Sequence, residues 1–289
     1  MNFQKVSLPS GIHLVGVPIG TARDITLRAL DVLASADVLA AEDTRSLRRL
    51  MDIHGVPLGG RRIHTLHDHS ADKVVAQLLA HTGAGGSVAY ASEAGMPLIA
   101  DPGFELIRAA RTGGVPVHCA PGPSAVVTAL AVGGLPTDAF LFGGFLHSAK
   151  AARRSALEGW GNVQATLVFY ESPKRLAAML ADAADVLGGD RQAAVCRELT
   201  KKFEEVRSGT LSELAEHYAD AAVKGEIVVL IDRRLEKIRE DDIESDLIEA
   251  LGRMSMRDAV DAVSTAHGAP RRKVYQLALT LPKGNSEDS

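Results

Sequence analysis

Between residues 13 and 134 the chain repeats one rhythm, a short apolar run followed by a stretch with apolar residues at helical spacing. The runs "HLVGVP" (13–18), "DVLAAE" (37–42), "RIHTLH" (62–67), "SVAYAS" (87–92) and "VPVHCAP" (115–121) predict strands. The segments "DITLRALDVLASA" (24–36), "TRSLRRLMDI" (44–53), "ADKVVAQLLAH" (71–81), "GFELIRAARTG" (103–113) and "SAVVTALAVGG" (124–134) predict helices. Strands that alternate with helices need crossover connections, so the expected fold class is α/β with a mainly parallel sheet.

The rhythm changes near "GLPTDAFLFGGFL" (134–146). Strands are expected at 165–172, 192–199, 200–211 (alternating, hence exposed) and 225–232, with helices at 174–188 and 211–221. This is a second α/β unit with a mixed sheet. A charged stretch, "EKIREDDIESDLIE" (236–249), leads to three short helices at 243–254, 255–268 and 269–282. Ser255 and Asp258 stand at capping-box spacing, Gly268 is a stop and Pro270 a first-turn residue. The expected domains are 1–134, 135–235 and a helix-turn-helix-like module at 236–289. A capping bundle is the alternative for the last of these.

With 289 residues and 46% hydrophobic content the chain can bury a large core. Its net charge of −4 hides basic clusters at Arg45, Arg48 and Arg49, at Arg61 and Arg62, at Lys150, Arg153 and Arg154, at Lys174 and Arg175, at Lys201 and Lys202, and at Arg271, Arg272 and Lys273. These are either solvated helix faces or phosphate-binding groups. Cys119 and Cys196 lie in apolar runs and read as buried hydrophobes, which suits a reducing cytosol. The start of the chain does not read as a signal peptide, and no apolar run nears the ~20 residues of a membrane helix. A cytoplasmic protein is expected.

In parallel sheets ligands collect beyond the carboxyl ends of strands. Here those ends carry small residues and prolines: Pro18, Gly20 and Thr21; Glu93, Ala94, Gly95, Met96 and Pro97; Pro121, Gly122, Pro123, Ser124 and Ala125. Such loops let a flat polar ligand approach the backbone. In "ASEAGMPLIADPG" (91–103), Asp101 is expected to cap the next helix. In the second unit, Glu171 ends a strand with Ser172 as expected N-cap, and Glu198, Thr200 and Lys201 end another. No dinucleotide fingerprint, phosphate loop or nucleophile elbow is present, and "TGAGGS" (82–87) reads as a turn. "HTLHDHS" (64–70) gathers His64, His67, Asp68 and His69, which read as hydrogen-bonding or acid/base groups of a loop, with a metal site as the alternative.

The segments "VPIGTARDITLRALDVLASADVLAAEDTR", "HDHS", "SEAGMPLIADPG", "PGPSAVVTAL", "GLPTDAFLFGGFL", "FYESPKRL" and "RELTKKFEEV" occur in the order found in the bacterial small-subunit rRNA methyltransferase I family, which this sequence resembles over roughly residues 13–232. The last unit resembles that family's C-terminal helical module. The wider superfamily is of the tetrapyrrole methylase type. The resemblance implies a two-domain enzyme, usually a homodimer, that binds S-adenosylmethionine between domains. It implies methylation of the ribose 2′-hydroxyl of a cytidine in the decoding region of 16S rRNA, in the assembled small subunit. Carried over by position, the donor would meet Pro18, Gly20, Glu93, Ala94, Gly95, Met96, Pro97, Ile99, Ser124, Ala125, Phe169, Tyr170, Leu199, Thr200, Glu226, Ile227 and Val228. The family usually has Asn at Thr21, Asp at Glu93 and Thr at Met96, so the shape of these loops is a firmer guide than their side chains.

A 2′-hydroxyl is a poor nucleophile, so a base or cation should assist it. The candidates are Asp43, His67, Asp68, His69, Glu171 and Lys201. The preferred set puts Glu171 and Lys201 at the reacting centre, with Asp43 and Arg45 ordering the cleft. Arg45, Arg48, Arg49, Arg153, Arg154, Arg271, Arg272 and Lys273 would hold RNA phosphates. Two other readings stay open: a methyltransferase acting on a tetrapyrrole, and a non-catalytic RNA-binding regulator.

Overall fold

The structure is a computed structural model, and it describes residues 2–66, 71–233, 240–267 and 269–281. His67, Asp68, His69 and Gly268 lie outside the described residues. Residues 1–234 form one compact unit and residues 235–289 another.

The first sheet holds β1 (Gly11–Val15), β2 (Val38–Ala41), β3 (Ile63–Thr65), β4 (Ser87–Ala91) and β5 (Val117–Ala120), all parallel, in the order β3-β2-β4-β1-β5. β4 is buried along its whole length, as a central strand covered on both faces must be. One face packs against α1 (Leu27–Ser35) and α2 (Thr44–Ile53), with Leu30, Leu33, Leu47 and Met51 in the core. The other packs against α3 (Ala71–Gly83) and α4 (Phe104–Thr112), through Leu78, Tyr90, Leu106 and Ala110. α1 starts later than its apolar period suggests, because the Thr26 hydroxyl accepts from the Ala29 N–H and sets the cap there.

α5 (Ala125–Val132) follows β5, yet it packs on the second sheet. Its Val126, Ala129 and Leu130 cluster with Val168, Ala194, Cys196 and Leu230. That sheet holds β6 (Phe140–Phe145), β7 (Thr166–Glu171), β8 (Gln192–Arg197), β9 (Glu205–Thr210) and β10 (Ile227–Ile231), in the order β6-β7-β10-β8-β9. β6 pairs with β7 in parallel and the other pairs are antiparallel, so the sheet is mixed. β10, "IVVLI", is central and fully buried, whereas β9 is an exposed edge. α6 (Lys150–Trp160), α7 (Leu176–Leu187) and α8 (Leu211–Tyr218) cover the far face through Leu157, Met179, Leu180 and Leu214. Thr210 and Glu213 close a capping box on α8.

The expected Ser172 cap is not observed. Residues 173–175 form a turn, α7 begins at Leu176, and the Ser172 carbonyl accepts from the Arg175 and Leu176 N–H groups. Cys196 is buried, but Cys119 is exposed, because β5 is an edge strand. The second unit contains α9 (Glu240–Leu251), α10 (Met256–His267) and α11 (Arg271–Thr280) around Leu247, Val260, Val263, Val274 and Ala278. The Ser255 hydroxyl caps α10 by accepting from the Asp258 N–H at 3.2 Å and donates to the Asp258 carboxylate at 2.6 Å.

Candidate active site

β4, β1 and β5 are neighbours, so the loops that follow them leave the first sheet side by side. They are tied together. Val17 and Gly95 exchange backbone hydrogen bonds of 2.9 and 3.1 Å. Gly16 crosses Gly122 so closely that a Cβ on Gly16 would lie 2.6 Å from the Gly122 nitrogen. Met96 fills this junction, and its Sδ accepts from the Gly122 N–H at 3.3 Å. The methionine therefore seals the loop crossing where a shorter side chain would leave a gap.

The loop after β4 is held under strain. Leu98 and Ala100 adopt left-handed φ values of 72° and 64°. The helix cap is Gly103, at φ 114°, rather than Asp101 as expected. A Cβ at Gly103 would meet the Tyr90 ring at 2.6 Å, and the Tyr90 hydroxyl donates to the Pro102 carbonyl at 2.7 Å. Pinned this way, the loop turns Asp101 into a cleft of about 410 Å³ that opens between the ends of the two sheets. That volume falls in the range of small-molecule sites.

One wall carries Ile19, Glu42, Glu93, Ala94, Gly95, Met96, Ile99, Ala100, Asp101, Ser124 and Ala125. The other carries Phe145, Tyr170, Glu171, Ser172, Pro173, Cys196, Leu199 and Gly225 to Val228. Most of the expected donor-binding residues thus meet in one place. Pro18, Gly20, Pro97, Phe169 and Thr200 do not line the cleft. Phe169 is one residue from Tyr170 on a strand, so it faces away and stacks on Trp160 at 5.4 Å. Gly20 packs against Thr200 and Lys201, and the Thr21 N–H donates to the Thr200 hydroxyl at 3.1 Å, which joins the two walls behind the cleft. Glu198 and Thr200, also left-handed at φ 52° and 63°, shape that junction.

The preferred reacting set separates. Lys201 is outside the cleft lining, and its ammonium is held by Glu198 at 3.0 Å and Glu226 at 3.1 Å. Burial would lower its pKa, but the two carboxylates outweigh this and raise it, so it stays charged. Asp43 caps α2 through the Arg45 and Ser46 N–H groups, and Arg45 holds its carboxyl below the usual range. Neither group is free to take a proton. Glu171 does line the cleft. Its Oε1 accepts from the Ser172 N–H at 2.8 Å and lies 3.2 Å from the Arg175 Nε, while Oε2 is buried without a partner. Burial raises its pKa against the opposing pull of Ser172, Arg175 and Arg153.

The groups that motif reading missed are Glu42, Asp101 and Phe145. Glu42 ends β2 as Glu93 ends the run of β4, and its Oε2 accepts from the Glu93 N–H at 3.2 Å. Asp101 is half-buried, and burial pushes its carboxyl up to about 6, opposed by a hydrogen bond from Ser92 and reinforced by Glu42 and Glu93. Across the cleft the Tyr170 hydroxyl is pushed up to about 12 by burial, then by Asp101 and Glu226. Phe142 and Phe145 meet the Tyr170 ring edge-on at 4.9 and 5.6 Å. Burial raises the Cys196 thiol to about 11, which rules it out as a nucleophile at neutral pH.

The expected phosphate contacts also divide. Arg45, Arg48 and Arg49 are exposed on α2. Arg153 is not available, because it is buried against Asp182 at 2.6 Å and donates to the His147 and Ser148 carbonyls. Arg154 is partly exposed and paired with Asp182 and Asp185. In the second unit Arg271 pairs with Asp261, while Arg272 and Lys273 point to solvent. Arg61 and Arg175 likewise spend donors on backbone carbonyls.

Residues 11–215 match the model of the tetrapyrrole (corrin/porphyrin) methylases, and residues 238–282 match the RsmI C-terminal HTH domain. A protein named ribosomal RNA small subunit methyltransferase I from Mesorhizobium japonicum is 44% identical, over 97% of this chain and 95% of its own. The chain belongs to the ribosomal RNA small subunit methyltransferase I family. Members of that name from Mycobacterium tuberculosis (strain CDC 1551 / Oshkosh) and Escherichia coli O157:H7 are 42% and 37% identical, over 94% and 93% of this chain and 96% and 94% of theirs. Solved structures share the methyltransferase I fold at lower identity. A uroporphyrin-III C-methyltransferase from Thermus thermophilus, complexed with S-adenosyl homocysteine, has a TM-score of 0.53 at 20% identity, covering 76% of this chain and 96% of that one. A conserved hypothetical protein from Aeropyrum pernix has a TM-score of 0.61 at 18% identity, covering 94% and 96%. Among the described residues no helix is long and apolar enough to cross a membrane, and no His, Cys, Asp and Glu group is arranged to hold a metal ion.

Proposed function

We propose that this chain uses S-adenosylmethionine to methylate small-subunit ribosomal RNA, at the ribose 2′-hydroxyl of a cytidine in the decoding region of 16S rRNA. The observation that carries this reading is the carboxylate-walled cleft in a chain of the methyltransferase I family. Glu42, Glu93 and Asp101 line one wall and suit a ligand that bears positive charge, as a sulfonium and an ammonium do. The small residues Ala94, Gly95 and Ala125 and the apolar Ile99, Leu199 and Val228 suit its nucleoside. When bound, the donor supplies an electrophilic methyl group on sulfur.

The protein's own part is orientation and exclusion of water. Tyr170 and Phe145 give the cleft an aromatic side opposite Glu42, Glu93 and Asp101, and Phe142 packs edge-on against the Tyr170 ring. Exposed Arg45, Arg48 and Arg49 on α2 would meet phosphates, and Arg272 and Lys273 would do so from the helical module. The family resemblance supports a homodimer acting in the cytoplasm on the assembled subunit.

The test is incubation with methyl-labelled donor and either small ribosomal subunits, free 16S rRNA or a tetrapyrrole, followed by mapping of the modified nucleotide. Label on a cytidine 2′-oxygen of the small subunit is expected. Label on the tetrapyrrole alone, or no donor binding at all, would sink the reading.

A further inference from the structure

Resting on the methylation reading above, we propose that Asp101 is the general base that takes the proton from the ribose hydroxyl. Among the described residues it lines the cavity, sits in a loop fixed on both sides and pairs with no cation, and its neighbours Glu42 and Glu93 are tied to each other by the Glu93 N–H on the Glu42 Oε2. Lys201 and Asp43 are outside the lining and committed to ion pairs. Glu171 has one oxygen held by the Ser172 N–H and the Arg175 guanidinium. Among the described residues no cationic side chain pairs with Asp101, and the Ser92 hydroxyl is the group that favours its ionised form.

The local backbone supports the assignment. A loop with two non-glycine residues, Leu98 and Ala100, in left-handed conformations costs stability. It persists here because the Tyr90 hydroxyl, the Gly103 cap and the Val17–Gly95 bridge fix it on both sides. The product of that strain is an Asp101 carboxylate that lines the cavity instead of capping α4. The groups facing it are Glu42 from the end of β2, Glu93 from its own loop, and Tyr170 from β7, with Glu226 beyond. Three of these are acids and the fourth is a phenol, so the surroundings oppose ionisation, and a carboxyl at about 6 is a strong enough base to act near neutral pH.

The step balances. The ribose oxygen bonds to the methyl carbon, and the carbon–sulfur bond breaks with its electron pair passing to sulfur, which becomes a neutral thioether. The hydroxyl proton passes to the Asp101 carboxylate, which becomes the neutral acid and later returns the proton to solvent, while the thioether departs.

Single-turnover transfer to small subunits, measured from pH 5 to 8.5, tests this. The wild-type rate should fall below an apparent pKa near 6. Asp101→Asn should lower the rate roughly 10²-fold or more and abolish that acid limb. Its calorimetric donor affinity should fall far less than its rate, because Glu42 and Glu93 still face the donor's charge, and a cooperative melting transition shows that the variant is folded. Asp101→Glu should keep part of the rate and the limb. Independently of activity, carboxyl ¹³C NMR of the donor-free protein should show an aspartate titrating near 6 that is missing in Asp101→Asn. The proposal is overturned if Asp101→Asn transfers methyl at the wild-type rate, if it loses donor affinity but not maximal rate, or if Glu171→Gln alone removes the acid limb. If the wild type labels no RNA, the methylation reading falls and the base assignment falls with it.

Discussion

Asp182→Ala should unfold this protein far more readily than it should affect RNA binding. Asp182 and Arg153 have side chains only 5% and 6% exposed and lie 2.6 Å apart between α6 and α7. With Asp182 gone, the Arg153 guanidinium keeps only the His147 and Ser148 carbonyls. Leaving one charge of a buried pair uncompensated costs about 3–5 kcal/mol. For a unit of this size each kcal/mol moves the melting temperature by ~2–4 °C, so a fall of roughly 6–20 °C is expected. The converse substitution is milder. In Arg153→Met, Asp182 retains Arg154 at 3.3 Å and Lys150 at 3.9 Å. Urea titration and a filter-binding assay with 16S rRNA, run on the same variants, separate the two roles. If Arg153→Met weakens RNA binding as much as a change at Arg48 while stability holds, the burial argument is wrong.

Three more outcomes are expected. Gly103→Ala places a methyl group against the Tyr90 ring at a left-handed φ, so it should destabilise by ~1–3 kcal/mol and weaken donor binding together, read by thermal melting and calorimetry. For Asp101 the folded pKa is raised from 3.8 to about 6, so the folded state binds the proton more tightly and stability is lost as pH rises between those values. Asp101→Asn should therefore melt higher than wild type at pH 7.5, with the gap closing as pH falls toward 4; equal gaps at both pH values would contradict the sign. Arg48→Ala and Arg49→Ala should each weaken RNA binding and flatten its salt dependence by about 0.7–0.9 in log–log slope, and an unchanged slope would remove α2 from the RNA surface.

What could be read from sequence followed the range of the interactions. Strands such as "SVAYA" and "IVVLI" are buried on both faces, so their apolar runs are continuous and their positions were legible. Helix starts were less so, because a cap depends on one hydroxyl: Thr26 supplies it for α1, whereas Ser172 and Asp101 do not supply it for α7 and α4. The cleft itself was legible as a set of small-residue strand ends. Which side chain of a pair such as Phe169 and Tyr170 faces it was not, since that is fixed by the register of β7 against β10. Arg153 looked like surface charge because its partner Asp182 lies 29 positions away. Asp101 was hidden by a cap motif that the loop geometry overrides.

α5 carries a practical consequence. Its first residues, Ser124 and Ala125, line the cleft, while its buried face belongs to the second sheet. A fragment ending at residue 134 would carry Val126, Ala129 and Leu130 with nothing to cover them, and the complementary fragment would bare Val168, Ala194 and Leu230. Anyone dividing this chain for separate expression should cut in the 121–124 loop, and should expect the two pieces to find each other again only when α5 travels with the second. The same packing means that any widening of the cleft between the sheets would carry α5 with the second sheet, and with it the Ser124 and Ala125 part of the cleft wall.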